Sequence, residues 1–137
     1  MGSLRRRRTV AAAAAVTAAA VDLLQKAAAG PTLHHLRSPA ALLLMAAVAA
    51  GLLLLVPRIP STAVVIGGGI AAGGALGNLV SALVWRAGVP DPIVVRASTG
   101  GIAFNLADIF VLAGDVLLVS AAALHGVRHH QRLREPA

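Results

Sequence analysis

The chain has 137 residues, of which 58% are hydrophobic and only 12% are charged, whereas soluble domains carry about 25% charged residues. The mean hydropathy of +0.82 agrees with that excess of apolar residues. Composition therefore excludes an ordinary water-soluble domain and makes a lipid bilayer the expected solvent. Cysteine is absent, which excludes disulfide bonds, a thiol nucleophile and a thiolate metal site.

The net charge of +7 does not predict nucleic-acid binding, because the basic residues lie beside apolar stretches. A run at Arg5–Arg8 precedes the first stretch, and Arg128, Arg132 and Arg134 follow the last one. Basic clusters in these places determine membrane topology and contact anionic lipid. The chain also has no Tyr, two Phe and one Trp, so it offers no stacking platform for single strands.

Four apolar stretches are long enough to cross a bilayer, which requires about 20 helical residues. They predict membrane spans at about 9–29, 39–56, 62–85 and 102–124, connected by segments that contain Pro or Gly. A basic cytoplasmic N-terminus, 1–8, and a basic cytoplasmic tail, 125–137, flank this transmembrane domain of residues 9–124. The predicted fold class is an all-α membrane protein with four transmembrane helices.

The first span could be read as a cleaved signal peptide, since basic residues precede an alanine-rich run. Asp22 and Lys26 favour a retained helix instead. A removed segment has no need of an acid–base pair four residues apart on one helical face.

The distribution of Lys and Arg around the spans predicts that both chain ends are cytoplasmic. In that orientation, eight of these residues lie inside: Arg5–Arg8, Arg58, Arg128, Arg132 and Arg134. Three lie outside: Arg37, Arg86 and Arg96. The expected location is the cytoplasmic membrane of a bacterium.

The third span is rich in glycine, with Gly69, Gly73 and Gly77 spaced four residues apart. Small residues at this spacing allow helices to approach closely in lipid. The glycines therefore predict helix packing in preference to chemistry.

Polar residues inside the spans suggest a functional site, because ionisable groups are costly in a membrane. With the predicted topology, six of them from three helices should lie near the outer face: Asp22, Lys26, Asn78, Ser81, Asn105 and Asp108. Asp22 and Lys26 could equally be a structural ion pair. Asp115, two turns beyond Asp108, is roughly 10 Å away on the same helical face, too far for a shared proton.

No metal or cofactor site is predicted. His34 and His35 lie at the outer edge of the spans, and His125, His129 and His130 at the inner edge. No spacing of histidines and carboxylates is typical of a zinc site.

Several motifs resemble those of signal peptidase II, the lipoprotein signal peptidase. Phe104–Asp108 (FNLAD) matches a signature F-N-x-A-D, and Gly77-Asn78 matches the start of G-N-x-x-D-R. Asp22–Lys26 (DLLQK) is similar to D-Q-x-x-K, and Gly88–Asp91 (GVPD) stands where G-x-V-D-F is frequent. Residues 34–41 loosely resemble V-R-N-T-G-A-A-F, with Arg37 matching and Ser38, Pro39 and Ala40 departing from it.

The resemblance implies four transmembrane helices with both ends in the cytoplasm and an aspartic active site near the outer surface. Asp108 then carries over as one catalytic carboxyl, while the G-N-x-x-D-R pattern assigns Ser81 to the other and Ala82 to the arginine. Asn78, Asn105, Asp22 and Lys26 would support the site. Asp91 could replace the missing carboxyl, and a Ser81–Lys26 dyad is a further alternative.

The implied activity is cleavage of signal peptides from diacylglyceryl-modified prolipoproteins. A single remaining dyad aspartate predicts a catalytically impaired member that retains lipoprotein binding or regulates an active relative. A small proton-coupled transporter that uses Asp115 is the alternative from another class. A packing or assembly subunit, in which Asp108 tolerates substitution, is the third.

Overall fold

The computed structural model describes residues 2–30, 32–98 and 100–132. Its four long helices are α1 (Gly2–Ala28), α2 (Pro39–Leu55), α3 (Thr62–Val84) and α4 (Leu106–Arg132). Four short strands lie between them: β1 (Leu33–His35), β2 (Val89–Asp91), β3 (Ile93–Ala97) and β4 (Gly100–Phe104). A 3₁₀ turn at Val56–Arg58 follows α2. The four helices are long and apolar enough to cross a membrane.

Helix α3 forms the centre of the bundle and packs against the other three helices. Of its membrane-spanning window 67% is buried, against 11% for α2 and for α4. Large apolar side chains on the outer helices are exposed, such as Leu43 at 73% and Leu112 at 68%. These side chains face outward as expected of a protein whose surroundings are lipid.

Glycines allow this central position because neighbouring backbones touch α3. A Cβ on Gly73 would lie 2.5 Å from the carbonyl oxygen of Ala15 in α1, and one on Gly74 would lie 2.5 Å from that of Ala107 in α4. Any larger residue would force the helices apart. The structure thus confirms that these glycines serve helix packing.

The helix bounds differ from the predicted spans at both ends of the chain. Helix α1 begins at Gly2, so the described part of the basic N-terminal segment is helical. Helix α4 begins at Leu106, four residues later than predicted from apolarity, because Gly100–Phe104 pairs with Ile93–Ala97 as an antiparallel hairpin. Apolar β-branched residues in a short strand are indistinguishable from a helix start by hydropathy alone.

Two small antiparallel sheets cover one end of the bundle. Strand β1 pairs with β2 in the register Leu33↔Asp91 and His35↔Val89. The turn before β2 requires Gly88, whose φ of +104° is unfavourable for other residues and whose Cβ would lie 2.6 Å from the carbonyl oxygen of His35. This sheet fixes the position of Asp91 above the helices.

Candidate active site

A buried polar cluster lies between α1 and α3 and consists of Asp22, Lys26, Asn78 and Ser81, which we call the Lys26 cluster. Their exposed fractions are 0%, 3%, 4% and 0%, in that order. The Lys26 Nζ donates hydrogen bonds to Asp22 Oδ2 at 2.7 Å, Asn78 Oδ1 at 2.8 Å and Ser81 Oγ at 3.0 Å. An ammonium group has three donors, so every one of them is used.

Asp22 extends the cluster to α4. Its Oδ1 accepts a hydrogen bond of 2.8 Å from the backbone N–H of Ala107, one of the free amides in the first turn of that helix. Its Oδ2 accepts from Lys26, and Gly77 leaves room for the carboxylate. Asp22 thus joins α1 to α4 by a hydrogen bond and lies close against Gly77 of α3.

Ser81 connects Lys26 of α1 to the backbone of α3. Its Oγ donates to the Gly77 carbonyl at 2.6 Å and accepts from Lys26 at 3.0 Å. The contact between Ser81 and Lys26 is one that sequence reasoning had left open. A lysine that activates a serine must be neutral and have a free lone pair, whereas Lys26 is paired with Asp22 and donates three hydrogen bonds. These contacts favour a structural role for Ser81 over a nucleophilic dyad.

Asp108 lies at the edge of the Lys26 cluster and is accessible. Its Oδ1 accepts from Asn78 Nδ2 at 2.9 Å, and Arg37 Nη2 lies 4.0 Å from the same oxygen. The Asp108 side chain is 38% exposed. Among the described residues no hydrogen bond joins it directly to Ser81; Asn78 and Lys26 lie between them.

Asn105 immediately precedes α4 and orients Asp108. The backbone N–H of Asn105 donates to Asp108 Oδ2 at 3.2 Å, while Asn105 Oδ1 accepts from the backbone N–H of Asp108 at 3.2 Å. This reciprocal pair is a capping box, in which the first and fourth residues satisfy free amides of the helix start. Asn105 is thus the N-cap of α4.

Asp91, at the end of β2, is the second carboxyl in contact with Asn105. Its Oδ1 accepts from Asn105 Nδ2 at 2.6 Å, and its Oδ2 contacts His35 Nδ1. The Asp91 residue is 1% exposed, although the His35 side chain is 58% exposed. Asn105 Nδ2 also donates to the Pro90 carbonyl at 3.3 Å. Asn105 therefore binds both carboxylates: its side-chain amide donates to Asp91 and its backbone N–H donates to Asp108.

The structure brings together all six polar residues expected near the outer face, and adds Asp91 and His35. The sequence had offered Asp91 as a replacement carboxyl and placed His35 at the outer edge of the spans. In the sequence, Asp91 was indicated only by its place in Gly88–Asp91, the segment that stands where G-x-V-D-F is frequent. The roles assigned to Ser81 and Asp108 stay predictions.

A groove of about 410 Å³ opens beside Asp108. Its lining comes from α2, α3, α4 and Arg37 and is mainly apolar, with Leu44, Met45, Val48, Ala75, Val111 and Leu112 as its apolar residues. Its polar residues include Asp108, in the first turn of α4, and Asp115, about two turns further along the same helix. The groove can therefore admit an apolar segment to the Asp108 carboxylate.

Within the described part of the chain, no group of three or more His, Cys, Asp or Glu residues is arranged to hold a metal ion.

Comparison with known proteins identifies one family. A family model described as signal peptidase (SPase) II matches residues 12–124, which include every residue of the candidate site. No curated protein matches the chain.

Proposed function

Because the chain belongs to the signal peptidase II family, we propose that it is an active member that uses Asp91 and Asp108 as its two catalytic carboxyls. The family consists of membrane-embedded aspartic peptidases of lipoprotein processing, and this chain is a multi-pass membrane protein. The proposed substrate is a diacylglyceryl-modified prolipoprotein. The proposal departs from the expectation of an impaired enzyme.

The observation that carries the proposal is the position of Asn105 between the two carboxylates. Its side-chain amide donates to Asp91 and its backbone N–H to Asp108. An aspartic peptidase needs two carboxyls held near each other so that they share one proton. Asp91 and Asp108 are carboxyls held on a common residue.

The surroundings of Ser81 support the same assignment. The Ser81 hydroxyl accepts a hydrogen bond from Lys26, so a carboxylate there would pair with the lysine. The chain lacks both charges of the D-R pair in the family pattern, since Ala82 follows Ser81. The loss of both residues removes one negative and one positive charge and leaves the net charge unchanged. This is expected if the aspartate and the arginine formed a structural ion pair.

The proposed reaction is hydrolysis of the peptide bond that precedes the lipid-modified cysteine. One carboxylate removes a proton from water, which attacks the scissile carbonyl. The protonated partner polarises that carbonyl and then gives its proton to the leaving nitrogen. The products are the free signal peptide and a lipoprotein with a free N-terminal amine. Amide donors from Asn78 and Asn105 hold Asp108 in place.

The proposed orientation puts both chain ends in the cytoplasm of a bacterium and the site at the outer surface of its cytoplasmic membrane. Eight Lys and Arg on the inner side against three on the outer side support it. The start of α1 and the start of α3 line one pocket, at the end of the bundle opposite the two sheets. The groove beside Asp108 would then open toward lipid, where a lipid-modified substrate resides.

The proposal is tested with the full chain in lipid vesicles and a diacylglyceryl-modified precursor. Wild type should release the signal peptide, and Asp91→Asn and Asp108→Asn should each reduce cleavage at least a thousandfold, in the range of losses for essential catalytic groups. Ser81→Ala is the matched control and should retain cleavage. Wild type that binds the precursor without cleaving it would support the impaired enzyme instead.

A further inference from the structure

Asp115 is a carboxyl that the proposed reaction does not use. It lies in α4 ten residues into the membrane-spanning window Leu106–Arg128, and its side chain is exposed. Among the described residues no hydrogen bond or ion pair involves it. An ionisable group within a membrane span is unfavourable in lipid and by default indicates a functional site.

Its position relative to Asp108 indicates what could be bound. Both residues line the same groove, and seven residues of helix separate them by roughly 10 Å. Their surroundings in the groove are apolar apart from Asn78 and Arg37, and Arg37 lies near Asp108, at the other end from Asp115. The groove thus has a polar outer end, an apolar middle and one isolated acceptor.

A signal peptide that is cleaved at Asp108 has to enter this groove in a locally unwound form, because a helix hides its peptide bonds from attack. Unwinding frees backbone N–H groups, and in lipid each free N–H needs an acceptor. An extended chain advances about 3.3 Å per residue. A segment that runs from Asp108 toward Asp115 therefore brings its third or fourth residue before the cleavage point to Asp115.

We propose that Asp115 accepts a hydrogen bond from a backbone N–H of the signal peptide, three or four residues before the scissile bond. Asp115 is then a substrate-binding residue that fixes the register of the unwound segment. The apolar residues between the two carboxyls, Val111 and Leu112 among them, contact the side chains of the segment. The inference depends on the proposed substrate, but not on whether the bond is cleaved.

The test measures binding of lipid-modified precursors to the full chain in vesicles. Asp108→Asn serves as the common background to prevent turnover. Asp115→Leu is compared with Ser120→Leu, which also replaces an exposed polar residue of α4 by leucine but lies outside the groove lining. We expect Asp115→Leu to weaken binding tenfold or more, because it leaves a desolvated backbone N–H without an acceptor, and Ser120→Leu to have no effect. Asp115→Asn retains an acceptor and should lose less.

Precursors with a single N-methylated peptide bond locate the contact. Methylation removes one N–H at a time, two to five residues before the cleavage point. At one position it should weaken binding to the chain with Asp115 intact, with no further loss in Asp115→Leu, since the two changes remove the same hydrogen bond. Equal losses in both chains at every position would overturn the inference, as would unchanged binding by Asp115→Leu.

The outcomes separate this inference from the proposed function. Binding that depends on Asp115, in a wild-type chain that does not cleave, would retain the binding site and refute the peptidase. Cleavage with the same KM in wild type and Asp115→Leu would retain the peptidase and refute the binding site. Proton-coupled transport that is lost in Asp115→Asn, without precursor binding, would refute both.

Discussion

The Lys26 cluster and the pair of carboxylates at Asn105 are neighbouring polar regions that differ in how far they are exposed. In the cluster, the lysine uses all its donors on Asp22, Asn78 and Ser81, and all four residues are buried. At the pair, Asp91 is buried, whereas Asp108 is 38% exposed and borders an open groove. Both regions have carboxylates, and only the second has one that a substrate can reach.

Motif residues of this bundle therefore divide into those that hold the helices together and those that a substrate can reach. Buried charges are tolerated when each has partners, and the Lys26 cluster meets that condition while joining α1, α3 and α4. A residue of this cluster can change if the hydrogen bonds and charges still balance, as they do with Ser81 and Ala82. A reacting carboxyl has no such freedom. Four substitutions, taken in decreasing order of effect, test this division.

Lys26→Met should destabilise the protein most. The substitution leaves the Asp22 carboxylate buried without its ion-pair partner, and breaking a buried pair costs about 3–5 kcal/mol. Unfolding in detergent micelles, followed by circular dichroism, measures the loss. Arg8→Met is the control, because Arg8 lies in the same helix and is exposed. Equal stabilities of the two variants would contradict the structural role of the cluster.

Gly77→Ala should disturb the cluster without removing any of its polar groups. The added Cβ would lie 2.6 Å from Asp22 Oδ2, so the carboxylate would have to move, at a cost of about 1–3 kcal/mol for such overpacking. Gly51→Ala in α2 has open space at the Cβ position and should be neutral or stabilising. The same unfolding measurement applies, and a Gly77→Ala variant as stable as Gly51→Ala would refute the close contact.

His35→Asn should affect the pair of carboxylates at Asn105. His35 contacts Asp91 Oδ2 and thereby orients the carboxylate, so its loss should lower kcat about tenfold, which is about 1.4 kcal/mol. KM should stay the same because His35 acts through Asp91. The control is His34→Asn, since the His34 ring is hydrogen bonded to the backbone carbonyl of Thr32 and not to a carboxylate. A change in KM with kcat unchanged would assign His35 to substrate binding instead.

Ser81→Ala should have the smallest effect on cleavage. It removes one of three acceptors from the buried ammonium of Lys26, and a hydrogen bond to a charged group contributes about 1.5–3 kcal/mol of stability. Cleavage should be retained. Ser81→Asp restores the aspartate of the family motif and should not raise activity, because its charge enters the buried cluster without the arginine. An increase in cleavage by Ser81→Asp would indicate that position 81 carries a catalytic carboxyl.

The sequence was sufficient to predict the membrane helices and the gathering of polar residues on α1, α3 and α4. Apolar length reports the spans, and motif spacing reports Asp22, Lys26, Asn78 and Asp108. The short strands were not predictable, since β1 and β2 pair residues more than fifty positions apart: Leu33↔Asp91 and His35↔Val89. That pairing buries Asp91 and brings His35 to it. Apolar content and local pattern contain no information on such a long-range contact.

The start of α4 illustrates the same limit on a smaller scale. Apolarity begins at Ile102, but the helix begins at Leu106, because the hairpin and the Asn105 cap use the preceding residues. The sequence showed that Asn105 and Asp108 are three apart. It did not show that Asn105 would also bind Asp91, the contact on which the proposed pair of catalytic carboxyls rests.

The most direct test of the account compares signal-peptide release by Asp91→Asn and Ser81→Ala in vesicles with a diacylglyceryl-modified precursor. The account predicts that wild type and Ser81→Ala cleave at similar rates, while Asp91→Asn is inactive yet still folded and able to bind the precursor. Cleavage by Asp91→Asn at the wild-type rate would contradict it.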